Sequence, residues 1–294
     1  MVDLIITQIL TGIGAAGILL LMAVGLSLVF GVLHILDFVH GSIFLFGGYI
    51  GYTFSILLAR VEGGFWLSLV AGGLMAAALG TLIEILFLRR VYDRQLLLQF
   101  LILFGVVYIV SDVMKIFWGT GYLSISRPDF LSDSMSYAGG RVVVARYNIF
   151  VIVLGAATIA LLWLLMNRTR FGLQVRALHQ QKEMAALLGM NTPMLRTSVF
   201  AIGSGMAGLA GVAIGGLGSL SPGMDVEAVI LAFSIVTIGG LGSVKGAIVG
   251  ALIVGLVQCL GLLILPQLNI TFIYLVMAVV LVVRPWGLFG RATA

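Results

Sequence analysis

The stretch NRTRFGLQVRALHQQKEMAALLGMNTPMLR, residues 167–196, decides how the chain is to be read. It is a polar island in an otherwise apolar sequence, with Arg168, Arg170, Arg176, Lys182 and Arg196 set against a single acid, Glu183. A segment this basic between long hydrophobic runs belongs on the cytoplasmic side of a membrane. Its middle, VRALHQQKEMAALLGMN (175–191), has the composition of a short helix ended by Gly189 or Asn191, with Pro193 beyond. A helix offered to the cytoplasm by a chain without a soluble domain calls for a protein partner.

The composition around the island agrees. Hydrophobic residues make up 61% of the 294 residues and charged residues 9%, with a mean hydropathy of +1.21, whereas a soluble domain is about a quarter charged. Apolar runs long enough to cross a hydrocarbon core recur without alternation, which selects membrane helices over a membrane barrel. The net charge of +5 is therefore topological and gives no ground for nucleic-acid binding. Cys259, the only cysteine, lies in an apolar run, so no disulfide forms within the chain and a cysteine-based metal site is not expected. The first apolar run starts after Asp3 with no basic residue ahead of it and reads as a retained span.

The expected fold is an all-α polytopic membrane bundle of about 8–9 spans, near residues 5–30, 42–59, 65–88, 96–118, 148–166, 197–218, 227–242, 247–265 and 269–283. The count falls to eight if one segment only dips into the membrane. The whole chain, 1–294, reads as one transmembrane domain, with 167–196 as its main cytoplasmic loop. Arg89, Arg90 and Arg94 mark a second cytoplasmic turn, and Arg284 with Arg291 a cytoplasmic C-terminus, leaving the N-terminus outside. The outer loop 119–147 carries Arg127, Arg141 and Arg146 against Asp129 and Asp133. Many of the 39 glycines fall at small-xxx-small spacing, such as Gly203–Ala207 and Gly211–Gly215, which allows close helix packing in lipid.

Two segments are interrupted. In VLHILDFVHGSIFLFGGYIGY (32–52), Asp37 and two histidines break an apolar run; in SPGMDVEAVILAFSIVTIGGLGSVKGAIVG (221–250), the break is Gly239–Gly240–Leu241–Gly242. Discontinuous segments of this kind point to a solute pathway, and ionisable groups in a membrane face the bundle interior. Asp37 and His40, with the adjoining Gly41 and Ser42, are the first pathway candidates; Gly239, Gly240 and Gly242 are the second. His34, Asp37 and His40 drift apart around a helix and have no fourth ligand, so a polar hinge is expected there rather than a metal site. GGLGSVKG (239–246) lacks the Lys-Ser/Thr order of a nucleotide-binding loop. Asp112 and Lys115, one turn apart, should pair; Glu84 before Arg89 and Arg90 reads the same way. Asp225 and Glu227 read as a solvated outer turn. No nucleophile–base set surrounds His34, His40 or His179, so catalysis is not expected.

DFVHGSIFLFGGY (37–49), RALHQQKEMAALLGMN (176–191), GMAGLAGVAIGGL (205–217), AFSIVTIGGLGSVKGAIVGAL (232–252) and RPWGLFG (284–290), in this order, resemble the permeases of branched-chain amino-acid ABC importers, of the LivH type. The resemblance implies a bacterial inner-membrane subunit with no cofactor of its own. It implies two cytoplasmic ATPases that use ATP and Mg, a second permease of LivM-like kind, and an external solute-binding protein. It also implies that 176–191 is the coupling helix that docks on an ATPase, through Arg176, Glu183, Ala185, Ala186 and Gly189. The family usually has Asn where Asp37 stands and Ala where Val39 stands, which leaves urea-like solutes and small carboxylates open as cargo beside amino acids. A secondary transporter or channel that works alone is the competing class; a membrane scaffold without transport is a third.

Overall fold

A computed structural model gives the structure of residues 2–92, 94–137 and 142–290. Arg141 and Arg291, read above as part of the outer loop and the C-terminus, lie outside the described residues. Among the described residues, nine long helices stand where about 8–9 spans were expected: α1 (Val2–Leu33), α2 (Val39–Leu57), α3 (Gly64–Leu86), α4 (Leu96–Trp118), α6 (Arg146–Arg168), α9 (Thr192–Leu217), α10 (Met224–Gly239), α11 (Val244–Ile264) and α12 (Asn269–Val283). Between them lie three short helices, α5 (Asp129–Ser132), α7 (Arg170–Gln180) and α8 (Lys182–Leu187). One antiparallel hairpin, β1 (Ser134–Tyr137) with β2 (Val142–Ala145), pairs Ser134 with Ala145 in the loop before α6.

Seven of the nine long helices have the length and apolarity to cross a membrane; α2 and α10 are the two that do not qualify. Their placement explains why. His40, in the first turn of α2, has its Nε2 3.1 Å from the Met22 carbonyl, well inside α1. Gly25, next to His40, packs on Gly203 in the middle of α9. So α2 begins at mid-depth, and His34–Phe38 carries the chain back into the bundle from the end of α1. The segment 218–223 makes the corresponding re-entry from the far end. It starts α10 at the same depth, with Gly41 so close to the Asp225 carbonyl that a Cβ there would collide with it. The expected span 227–242 is therefore corrected to a helix that starts inside the bundle. From their shared starting depth, α2 runs to the far end and α10 to the end carrying the basic island.

Glycines set the helix spacing. Gly211 rests on the backbone of Phe44 and Gly48, Gly47 on Gly208, and Gly12 on Gly255. Lipid supplies no hydrophobic force between helices, so close backbone contact takes its place. α1 and α9 are the most enclosed spans, and α6 and α12 have the largest share of surface facing outward. At the basic end, the Leu288 and Phe289 N–H groups donate to the carbonyls of Ile238 and Gly239 at 2.9 Å each. The C-terminal segment 284–290 thus satisfies carbonyls that the end of α10 would otherwise leave unpaired. At the far end Arg146 pairs with Asp133 at 3.1 Å, and the Arg127 guanidinium lies 5.4 Å from the centre of the Tyr147 ring. Arg127 and Arg146, the two outer-loop arginines among the described residues, are thereby engaged within the loop and its helix.

Candidate functional site

The first set of pathway candidates divides between two faces of α2. Asp37 and His40 are completely buried, with Asp37 Oδ2 3.3 Å from His40 Nδ1. The pair is in contact without hydrogen-bond alignment: neither Asp37 oxygen nor His40 Nδ1 has a hydrogen-bond partner among the described residues. Through His40 Nε2 the pair is set against α1. Ser42 lies on another side of α2, where its hydroxyl donates to Asp225 Oδ2 at 3.3 Å. Ser111, on α4, donates to the same oxygen at 2.5 Å. Asp225, read in sequence as part of a solvated turn, is only 3% exposed and joins three helices. Glu227 is exposed, as expected for a turn residue. The signal for Asp225 was an acid flanking an apolar run; Ser111, a lone hydroxyl within α4, gave none. Replacing Asp37 by alanine should impair uptake while leaving assembly intact, checked by transport and by gel filtration of the same preparation; loss of assembly would make Asp37 structural.

The second set sits at the basic end. Gly239 packs on Gly246, and Gly240, with φ 106°, lies against Gly290. These two allow the α10–α11 turn and the C-terminal segment to approach closely. Gly242, with φ 77°, rests on Gly31 and lines a cavity of about 790 Å³, together with His34, His179, Thr237, Ser243 and Trp286. His34 and His179 stack there with ring centres 5.5 Å apart and planes within 5°. Burial, then the neighbouring His179, pushes the His34 imidazole below its ordinary pKa, so His34 is mainly neutral at pH 7 and the stack is not a pair of facing charges.

The basic island folds as two helices rather than one. α7 and α8 are separated at Gln181, whose φ of −149° and ψ of 92° are extended. Gly189 ends the hairpin with φ 78°, its N–H donating to the Ala186 carbonyl at 3.0 Å. Asn191, the other expected terminator, instead caps the start of α9, accepting from the Met194 N–H at 3.1 Å. Thr169 makes the corner between α6 and α7, accepting from the Gly172 N–H at 3.2 Å. Of the docking candidates, Ala185 is buried against the bundle while Glu183, Ala186 and Gly189 are exposed. The Arg176 guanidinium donates to the Met166 carbonyl at the end of α6, which ties it into the corner. Sequence reasoning missed the exposed apolar residues on this hairpin: Met184 is 51% exposed, Leu187 81% and Leu188 70%.

Glu84 holds the island's end to the other basic turn. Fully buried, it accepts from Thr197 Oγ1 at 2.6 Å and from the Tyr92 hydroxyl at 3.1 Å, with Arg89 Nη2 at 3.8 Å. The Arg196 guanidinium covers the Tyr92 ring at 4.6 Å. The expected Asp112–Lys115 pair forms at 2.9 Å, on the surface of α4.

A bundle of apolar helices, with two that start at mid-depth around buried polar groups, defines a polytopic membrane permease. The family described as the permease component of branched-chain amino acid transport systems matches residues 8–283. The chain belongs to that family, whose members are non-catalytic permease components of ABC transporters working with ATPase and binding-protein partners. It is an inner-membrane protein. It is 27% identical to the high-affinity branched-chain amino acid permease LivH of Salmonella typhimurium, over 97% of this chain and 95% of the relative. It is 26% identical to BraD of Pseudomonas aeruginosa with the same coverage. A fructose import permease, FrcC of Rhizobium meliloti, is 35% identical over 49% of this chain and 41% of its own length.

Proposed function

We propose that this chain, as a single transmembrane domain, is one of the two membrane subunits of a binding-protein-dependent importer. It would move a small solute, branched-chain or related amino acids, inward by ATP-driven alternating access. The relatives matched nearly end to end carry branched-chain amino acid names, which favours that cargo over the sugar of the relative matched across half the chain. The basic end faces the cytoplasm by the distribution of arginines. There one of two ATPase subunits, which hold the ATP and Mg, receives the α7–α8 hairpin. A second, LivM-like permease completes the path, and an external solute-binding protein delivers the cargo.

The observation that carries this reading is the hairpin itself. Met184, Leu187 and Leu188 are exposed on the hairpin at the basic end, between the end of α6 and the start of α9. Ala185, 2% exposed, anchors the hairpin on the other side. Closure of the ATPases would then move α7 and α8 as a rigid body. The Arg176–Met166 tie passes that motion to α6, and the His179–His34 stack passes it to the break ahead of Asp37 and His40.

Gly189→Pro tests the coupling. Proline cannot adopt φ 78° and has no N–H for the Ala186 carbonyl, so the hairpin terminus must rebuild. In proteoliposomes holding the whole importer, ATP hydrolysis should continue while uptake per ATP falls about ten-fold or more. Unchanged coupling would reject docking through this hairpin.

A further inference from the structure

We propose that Asp225, with Ser42, Ser111 and Tyr49, forms a subsite that recognises the protonated amino group of the cargo, and that Lys115 receives its carboxylate. This rests on the importer reading above and names the chemical class that the path selects. Asp225 stands in the first turn of α10, at the depth where α2 also begins. Its Oδ2 accepts from Ser42 at 3.3 Å and from Ser111 at 2.5 Å. Two hydroxyl donors on one oxygen orient the carboxylate without neutralising it.

The second observation is independent of the acid. Tyr49, which lines the same small space, is 1% exposed, and its hydroxyl has no hydrogen-bond partner among the described residues. A buried hydroxyl left unpaired is costly, and native structures tolerate it where function supplies a partner. The remaining lining is apolar, from Leu45 and Met114, apart from Lys115 and the Pro222–Gly223 turn. Lys115 is 43% exposed and bonded to Asp112 at 2.9 Å, so its ammonium stands nearer the surface than Asp225. A buried carboxylate with an ammonium nearer the surface, both lining one small space with Leu45 and Met114, suits a zwitterion with an aliphatic side chain. A neutral solute or a simple carboxylate would leave Asp225 unmatched.

In this conformation the space beside Asp225 is about 10 Å³, close to the size of one water molecule. α4 closes it. That helix packs on α2 and reaches α10 through the Ser111–Asp225 bond. An amine arriving at Asp225 competes with Ser111 for the same carboxylate, so binding of cargo and release of α4 are one exchange of hydrogen bonds. No covalent step is involved.

The test is equilibrium binding of radiolabelled L-leucine, 4-methylpentanoate and urea to the purified full importer in detergent, without the solute-binding protein. Wild type should bind leucine about ten-fold or more tightly than 4-methylpentanoate, the range expected of one charge-assisted hydrogen bond. Asp225→Asn should erase that preference. Asp225→Glu, which keeps the charge facing Ser42 and Ser111, serves if the asparagine variant does not assemble; it should weaken leucine binding yet retain the preference for the amine. Equal binding of leucine and 4-methylpentanoate by wild type, binding of none of the three, or an undiminished preference in Asp225→Asn overturns the proposal. The importer reading fails separately, if leucine enters proteoliposomes as fast without ATP.

Discussion

Gly211→Val should leave little folded permease, with the monodisperse fraction in mild detergent falling roughly ten-fold or more. A Cβ at Gly211 would run into the Phe44 carbonyl and lie 2.8 Å from the Gly48 nitrogen, both backbone atoms of α2. Backbone cannot move aside as a flexible side chain can, so α2 and α9 would have to separate. Their separation would not stay local. Gly47 meets Gly208 along the same contact, and α9 is also the surface on which α1 and α3 pack. The control is Gly105→Ala on α4, where nothing lies within 4 Å of the added methyl. Alanine there should leave the yield unchanged or raise it, since glycine costs a helix about 1 kcal/mol relative to alanine. Fluorescence-detected gel filtration of tagged protein separates the two cases. Wild-type behaviour of Gly211→Val would mean that α2 and α9 are not in the close contact described.

The same contrast shows what the sequence could tell. Gly211–Gly215 spacing announced close packing, whereas Gly105, set among large residues in LILFGVVYIV with Leu101 and Ile109 four positions away, lacks that spacing and faces open space. The spans were legible because a run of apolar residues has few alternatives in a membrane, and 96–118 and 269–283 match α4 and α12 residue for residue. The break before α2 was legible through His34 and Asp37, which an uninterrupted span would not carry. The mid-depth start of α10 was not. Pro222–Gly223 followed by two acids reads equally well as an outer turn, and whether such a turn lies at the surface or inside depends on what α2 and α4 place opposite it. Asp225 was misread for that reason. The division of the island at Gln181 left no trace either, because glutamine is a good helix former; the corner is set by α7 packing on α6, α1 and α9. Arg176 was named as a docking residue on the resemblance, and no sequence pattern showed that its guanidinium also donates to a backbone carbonyl across the Thr169 corner.

Leu187→Asp combined with Leu188→Asp should abolish the association with the ATPase while leaving the permease itself intact. The two side chains are 81% and 70% exposed, so within the chain they have little packing to lose. An apolar pair turned toward water is worth about 25 cal/mol for each Å² that a partner covers. Apolar residues at the centre of an interface cost about 2 kcal/mol or more when removed, and buried carboxylates in their place cost further. Affinity for the ATPase should therefore fall at least about thirty-fold, and uptake should go with it. The measurement is the amount of ATPase that co-purifies with tagged permease, read beside the gel-filtration profile of the permease. A normal profile with no ATPase supports docking through the tip of α8. If ATPase is retained at wild-type levels while the permease profile deteriorates, Leu187 and Leu188 are seated in the lipid interface, and the hairpin meets the ATPase through its polar face, with Glu183, instead. Both outcomes are decidable from one preparation, because the substitution lies where the chain has no interior of its own to disturb.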